Sequence, residues 1–332
     1  MSSPQTTTIA TELAQAADAI RGGERFLVTT HENPDGDALG SLLAVKLALD
    51  ALGKDVVMYL SGETPLPREY SWMPLGNLRR SLPDDAANRV LLALDCANES
   101  RLGPDPEVLA SAPLVLNVDH HHDNSRFGGV NAVVADASST GEIVRDLLSH
   151  LDVELTPDMA EALYIALVTD TGRFQYEAAT PETLRLAARL REHPFDHTRL
   201  SQVLYENNHA AYLDVLGVAM DRAELDAAAG LVWTYVLWSD LESAGAEPGD
   251  VDDLIDVLRA TRDADTAALV KQQRDGRFKV SVRSRGARDL SVVAAAFGGG
   301  GHRLAAGYTS EVGPAETIRR LRAAVTGAAS IP

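Results

Sequence analysis

Three apolar runs in the first half of the chain each end in side chains that can bind a cation, and this limits the fold more than any other feature. RFLVTT (25–30) runs into His31, RVLLALD ends at Asp95, and PLVLNVD ends at Asp119 and continues as His120, His121 and His122. A fourth apolar run, KDVVMYL, adds a further strand. Between them lie stretches of helical period: ALGSLLAVKLALDALG (38–53), EIVRDLLSHL, and PDMAEALYIALV with Pro157 in its first turn. Short buried strands alternating with helices predict an α/β fold, a mostly parallel sheet flanked by helices. In such sheets ligands bind at the carboxyl ends of the strands, which is where these aspartates and histidines fall.

A chain of 332 residues is long enough for two domains. The expected division is a first domain over 1–190, a helical connector over 191–225, and a smaller α/β domain with a mixed sheet over 226–332. The second domain opens with the strand GLVWTYVLW. It continues with an acidic helix around 249–260, a hairpin of TAALVKQQ and RFKVSVRS, and the helix LSVVAAAF before GGGGH.

Charge narrows the partners. With 48 acidic and 30 basic side chains the formal charge is −18. Affinity for long duplex nucleic acid comes from many Lys/Arg–phosphate contacts, so that partner is excluded, and anionic membranes would repel the chain. A single cysteine, Cys96, cannot form an internal disulfide. The opening segment lacks a basic stretch followed by an apolar core, and no run reaches the roughly 18 apolar residues of a membrane span. The expected location is the cytoplasm.

The densest chemistry lies in TTHENPDGDALGS (29–41), where His31, Asp35 and Asp37 stand between a strand and a helix. Turn formation and helix capping alone would account for both aspartates. Three other elements, however, bring Asp95, Asp119 with His120, and Asp170 of TDTG to the same sheet edge. Five carboxylates gathered there would repel one another unless cations neutralise them. Oxygen and imidazole donors without thiolate suit Mn²⁺ or Mg²⁺, and this many carboxylates suit two metals better than one.

HENPDGD, ALD, VDHHH and TDTG resemble, in order, the four metal motifs of the DHH phosphoesterase superfamily. VSVRS followed by LSVVAAAFGGGGHRLAAGY resembles its DHH-associated domain, glycine signature included. The resemblance spans roughly residues 25 to 310. It implies a two-manganese centre, with Mg²⁺ or Co²⁺ as substitutes. His31 and Asp35 would hold one ion, Asp37, His120 and Asp170 the other, and Asp95 would bridge them. Asp119 would orient His120, and His121 would face the substrate phosphate. His122 extends the usual pair and leaves open which imidazole binds metal. Water activated by the two metals would attack phosphorus in line with the leaving oxygen. Cys96, beside Asp95, is read as a small buried residue.

Residues 271–303 carry eight cations (Lys271, Arg274, Arg277, Lys279, Arg283, Arg285, Arg288 and Arg303) against Asp275 and Asp289, a local +6. Arg283 and Arg285 alternate on one predicted strand, so they should share a face. The glycines at 298–301 allow close approach of backbone N–H groups to a phosphate. The family pattern implies that Arg283, Ser284, Gly300 and His302 grip a terminal nucleotide. Arg285, Gly299 and Gly301 belong to the same candidate set, and Arg101 is a further candidate phosphate contact.

The short form with the associated domain is similar to the branch that hydrolyses short RNA to mononucleotides and adenosine 3′,5′-bisphosphate to AMP. Cyclic di-AMP or linear dinucleotide hydrolysis is the alternative. A non-catalytic nucleotide- or RNA-binding protein is the reading from a different class, and the complete set of metal motifs argues against it. The resemblance also implies a homodimer.

Overall fold

The computed structural model describes residues 4–63, 65–103 and 112–327, excepting the side chains of residues 4–7 and 302. The chain forms two compact units, Met1–Leu204 and Tyr205–Pro332.

The first unit is built on five parallel strands: β1 (Arg25–Thr29), β2 (Asp55–Tyr59), β3 (Val90–Leu94), β4 (Val115–Asp119) and β5 (Val130–Val133). They lie in the order β2-β1-β3-β4-β5, and every neighbouring pair is parallel. Phe26, Leu27, Val28 and Leu91 to Leu94 are buried: helices pack on one face, and Leu82, Ala86 and Ala112 pack against Leu27 and Leu91 on the other. The strand order reverses beside β1, and a crevice opens at that point in doubly wound sheets. His31 and Asp95 follow the two strands, β1 and β3, that meet there.

The first unit's helices are α1 (Pro4–Gly22), α2 (Gly36–Ala51), α3 (Thr140–His150), α4 (Pro157–Asp170), α5 (Pro181–Leu190) and α6 (His197–Tyr205, which reaches into the second unit). Asp35 caps α2 by accepting from Ala38 N at 3.0 Å, which fixes where the helix begins. Helices α2 and α4 pack closely. A Cβ added at Gly40 would sit 2.4 Å from the Ala162 carbonyl, so only glycine allows this spacing. The approach brings Asp37 on α2 towards Asp170 at the end of α4.

Strand β5 was not legible in the sequence. Its four residues, VNAV, include an asparagine, and its placement depends on pairing with β4. Helix α1 packs along this edge strand, where Glu12 Oε2 accepts from Val133 N at 3.2 Å and occupies an otherwise open edge group.

The second unit holds a six-stranded mixed sheet of β6 (Glu224–Asp226), β7 (Leu231–Val236), β8 (Thr266–Gln272), β9 (Phe278–Ser284), β10 (Gly300–His302) and β11 (Ala305–Ser310). The order is β10-β11-β9-β8-β7-β6, with only β7 and β8 parallel. Its helices are α7 (Ala210–Asp221), α8 (Trp238–Ala244), α9 (Leu254–Arg259), α10 (Leu290–Ala295) and α11 (Pro314–Gly327). One sheet face packs Val280, Val282 and Tyr308 with residues of α10 and α11, and the other packs Ala267 and Leu269 with residues of α7 to α9. The acidic stretch expected as one helix is instead a 3₁₀ turn at Pro248–Val251 followed by the short α9. Proline, glycine and three aspartates within 248–253 explain the break, since none of them favours a helix interior.

Candidate metal centre

Asp35, Asp37, Asp95, Asp170, His31, His120 and His121 converge at the carboxyl edge of the parallel sheet. Three sets of ligand atoms lie within 4.8 Å of one another: His31, Asp35 and Asp95; Asp37, His120 and Asp170; and Asp95, His120 and His121. Asp95 belongs to two sets and stands between the others. Its Oδ2 is 3.5 Å from His31 Nε2 and its Oδ1 is 3.7 Å from His120 Nε2. His120 Nε2 also lies 3.5 Å from Asp170 Oδ2 and 3.8 Å from Asp37 Oδ2. Asp95 has φ 56°, a left-handed conformation that costs a non-glycine residue roughly 1–2 kcal/mol and here turns its carboxylate into the site.

The electrostatics are those of a crowded anionic pocket. Burial, reinforced by the charges of Asp95 and Asp170, pushes Asp37 well above the usual carboxylate range. Burial also raises Asp170 to about 7. Burial would lower His120, but Asp170, Asp37 and Asp95 outweigh it and raise the imidazole to about 10. Asp95 stays below its ordinary range despite its burial because a hydrogen bond from His31 and the neighbouring imidazoles favour its charged form. These are oxygen and nitrogen donors with no thiolate, and divalent cations would replace the protons that keep them together. The donor set therefore fits divalent metal. Cys96 is fully buried, and burial with Asp95 and Asp119 nearby pushes its thiol up, away from the reactive thiolate.

One expected relationship is reversed. Asp119 holds His121, not His120: His121 Nδ1 donates to Asp119 Oδ1 at 2.8 Å. His120 Nδ1 lies 3.3 Å from the Ala137 carbonyl, and its Nε2 faces the aspartates. The chain leaves β4 at Asp119, so the register beyond it is set by the loop and is invisible to strand spacing. His122 is exposed, whereas His120 and His121 each belong to a group of side chains that could hold a metal ion.

Supporting residues escaped the sequence reading. Thr140 N and Gly141 N, the first N–H groups of α3, donate to Asp37 at 2.6 and 2.9 Å, and Thr140 Oγ1 donates to Asp95 Oδ1 at 3.0 Å. A helix N-terminus thus faces a carboxylate whose charged form burial disfavours. The signal was present in SSTGE (138–142), where Ser139 caps α3. Asn124 Nδ2 donates to Asp119 Oδ2 at 2.5 Å and to Asn117 Oδ1 at 2.8 Å, fixing the carboxylate that orients His121.

The other candidates lie in both units. Arg101 lies in a short 3₁₀ turn, Glu99–Leu102, whose Arg101 carbonyl accepts from Glu32 N, next to the loop of His31 and Asp35. Arg283 is half-buried on β9, opposite Ala267 of β8 and Ala305 of β11. Ser284 is fully buried, and its hydroxyl donates to Asp265 Oδ2 at 3.0 Å and accepts from Gly286 N, so it secures a loop from within. Arg285 lies beyond the end of β9 and donates to the Thr261 carbonyl at 3.0 Å, so it does not share a strand face with Arg283. The local +6 is partly spent inside the unit: Lys271 is buried against Asp252, and Arg288 lies 3.6 Å from Asp265.

The glycine run leads from α10 into the edge strand β10. Gly299 and Gly301 have steric reasons to be glycine: a Cβ would meet the Gly307 carbonyl at 2.1 Å and the Ala305 carbonyl at 2.6 Å, respectively. Gly300 has none, since a Cβ there would meet nothing within 4 Å. The side chain of His302 lies outside the described part of the structure.

A parallel α/β sheet with clustered Asp and His ligands at its switch point is the architecture of a metal-dependent hydrolase. Residues 25–167 match the DHH family N-terminal domain and residues 230–330 match the DHHA1 domain. The chain is 33% identical over 302 residues to the bifunctional oligoribonuclease and PAP phosphatase NrnA of Thermus thermophilus, covering 90% of this chain and 87% of that protein. It is 25% identical over 300 residues to the probable enzyme of the same name in Streptococcus mutans, covering 88% and 91%. An exopolyphosphatase-related protein from Bacteroides fragilis has the same fold, with TM-score 0.88 at 20% identity over 95% of this chain and 96% of that one. RecJ of Thermus thermophilus in complex with Mn²⁺ superposes with TM-score 0.58 at 17% identity, covering 95% of this chain and 54% of RecJ. The chain belongs to the DHH phosphoesterase family, in its two-domain DHH–DHHA1 form.

Proposed function

We propose that this protein hydrolyses short RNA oligomers to mononucleotides and adenosine 3′,5′-bisphosphate to AMP, in the cytoplasm, with two Mn²⁺ ions at the Asp/His centre. The observation that carries this is the pair of ligand sets, His31–Asp35–Asp95 and Asp37–His120–Asp170, flanking one shared carboxylate. The names of the Thermus and Streptococcus relatives support the substrates. The Mn²⁺ of RecJ supports the choice of metal.

When bound, the two cations supply charge neutralisation at phosphorus and a lowered water pKa. The chain supplies the rest. Asp119 fixes the His121 ring through Nδ1, which directs Nε2 to a phosphoryl oxygen and adds a donor where negative charge grows. Thr140 and Gly141 hold Asp37 still, and Thr140 holds Asp95. Both reactions break the bond between phosphorus and O3′ of a 5′-phosphorylated nucleoside: the water oxygen joins phosphorus, and a proton ends on O3′. Arg283 and the open side of Gly300 recognise that nucleotide, and Arg101 assists at the phosphate. The acidic remainder of the chain restricts substrates to short ones. The active protein is a homodimer.

The test is hydrolysis of a two-residue RNA, adenosine 3′,5′-bisphosphate and cyclic di-AMP with Mn²⁺, comparing wild type with Asp95→Ala. Cleavage of the first two by wild type and of none by the variant is expected. Wild type inactive on all three would overturn the reading.

A further inference from the structure

The two proposed substrates share a 5′-phosphorylated nucleoside and differ on the far side of the phosphorus. Adenosine 3′,5′-bisphosphate carries only oxygen there, whereas RNA carries a second nucleoside through its 5′ oxygen. An enzyme that handles both needs a place for a group that only one of them possesses.

The first unit has a cavity in the right position. It measures about 340 Å³, at the small end of the range for ligand sites, and lies between α1 and the loops that follow β4 and β5. His121 lines it, and the same residue belongs to the ligand set with Asp95 and His120, so cavity and candidate metal centre share a residue. Asn124 is a second link: it lines the cavity and donates to the carboxylate that orients His121.

Its lining indicates what would bind. Ile9 and Val134 give an apolar surface, and Arg126 presents a half-exposed guanidinium, a plane on which a nucleobase can stack. Arg126 is not placed casually. Its backbone is left-handed, φ 54°, held by donation from its N–H to Asn124 Oδ1 at 2.6 Å, and its side chain pairs with Glu12. The formal charges of the lining are two carboxylates, Glu12 and Asp136, against one guanidinium. That balance disfavours a second phosphate and suits ribose hydroxyls, which donate to carboxylates.

We infer that this cavity is the subsite for the nucleoside on the 3′ side of the scissile phosphate, used by RNA and unused by adenosine 3′,5′-bisphosphate. The inference rests on the proposed function and refines it: one centre serves two substrate classes because the second nucleoside has its own compartment in the first unit.

The experiment is paired kinetics on the full chain with Mn²⁺, using a 5′-phosphorylated two-residue RNA and adenosine 3′,5′-bisphosphate. Two variants avoid the ligands. Arg126→Ala removes the stacking cation, and Ala135→Phe narrows the cavity from an exposed position on its lining. Each should raise KM for the dinucleotide about tenfold, the loss of roughly one base-stacking contact, with KM for the bisphosphate within about twofold of wild type. Should Arg126→Ala loosen α1 and harm both activities, Ala135→Phe still decides. Equal effects of Ala135→Phe on both substrates, or none on either, would overturn the subsite. Wild-type protein inactive on both would instead overturn the proposed function, so the two failures are distinguishable.

Discussion

Asp119 and His121 are joined by a 2.8 Å hydrogen bond from the imidazole Nδ1 to a fully buried carboxylate. Burial opposes charge on His121, yet this bond and the charge of Asp95 raise the ring above the ordinary histidine range. Asp119→Asn keeps the shape but removes the charge. Partners of this kind typically carry 10- to 100-fold, so kcat should fall by about that factor. Metal content, measured by mass spectrometry on the purified protein, should be unchanged. Loss of metal in parallel would mean that Asp119 acts on the ligands themselves.

Thr140 supports Asp95 through its hydroxyl and Asp37 through its N–H. Thr140→Val deletes only the first of these and keeps the volume. Apparent Mn²⁺ affinity is expected to weaken about tenfold, with folding stability lower by roughly 1 kcal/mol. Titration of activity against Mn²⁺ reads this directly, and an unmoved midpoint would show that Asp95 needs no such support.

Without metal, stability should decline as pH rises. Asp170 sits at about 7 against an ordinary 3.8, and His120 at about 10 against 6.5. Both bind their proton more tightly folded than unfolded. The stabilisation is therefore complete at low pH and is lost through pH 3.8–7 for Asp170 and 6.5–10 for His120. Chelator-treated protein should melt at a lower temperature at pH 9 than at about pH 6, and Mn²⁺ should restore the loss. A Tm that climbs between those values in chelator would contradict the crowded-carboxylate account.

Two neighbouring glycines should behave differently. Gly301 has φ 135° and no room for a Cβ, so Gly301→Ala should cost about 2 kcal/mol or more in chemical denaturation. Gly300→Ala meets open space and should leave stability within about 0.5 kcal/mol, yet raise KM for nucleotides severalfold. An unchanged KM would remove Gly300 from the binding surface.

The strand-ending aspartates and the helical periods made the parallel sheet legible because burial on both faces demands continuous apolar runs. The gathering of aspartates and histidines at one sheet edge was legible because several of them follow strands that the topology must bring together, whereas their division into two sets came only from the family resemblance. Strand β5, the support from Thr140 and Gly141, and the Asn124 network were not. Short polar segments gain their structure from neighbours, and no local pattern records which neighbour that will be. Ser284 illustrates the same limit. Strand alternation placed it beside Arg283, but only packing revealed that its hydroxyl faces Asp265 inside the unit.

By itself the sequence determined the chemistry available: which donors exist, that they are oxygen and nitrogen, and that they cluster at strand ends. The tertiary structure alone decided how those donors pair, with Asp119 assigned to His121 and His120 turned to the aspartates. It also set beside them a cavity lined by α1 and by the loops after β4 and β5, far from α1 in sequence. Ring orientation and cavity shape depend on contacts between segments 103 to 121 residues apart, such as Thr140 with Asp37 and Val133 with Glu12, and such contacts are set by packing rather than by local order.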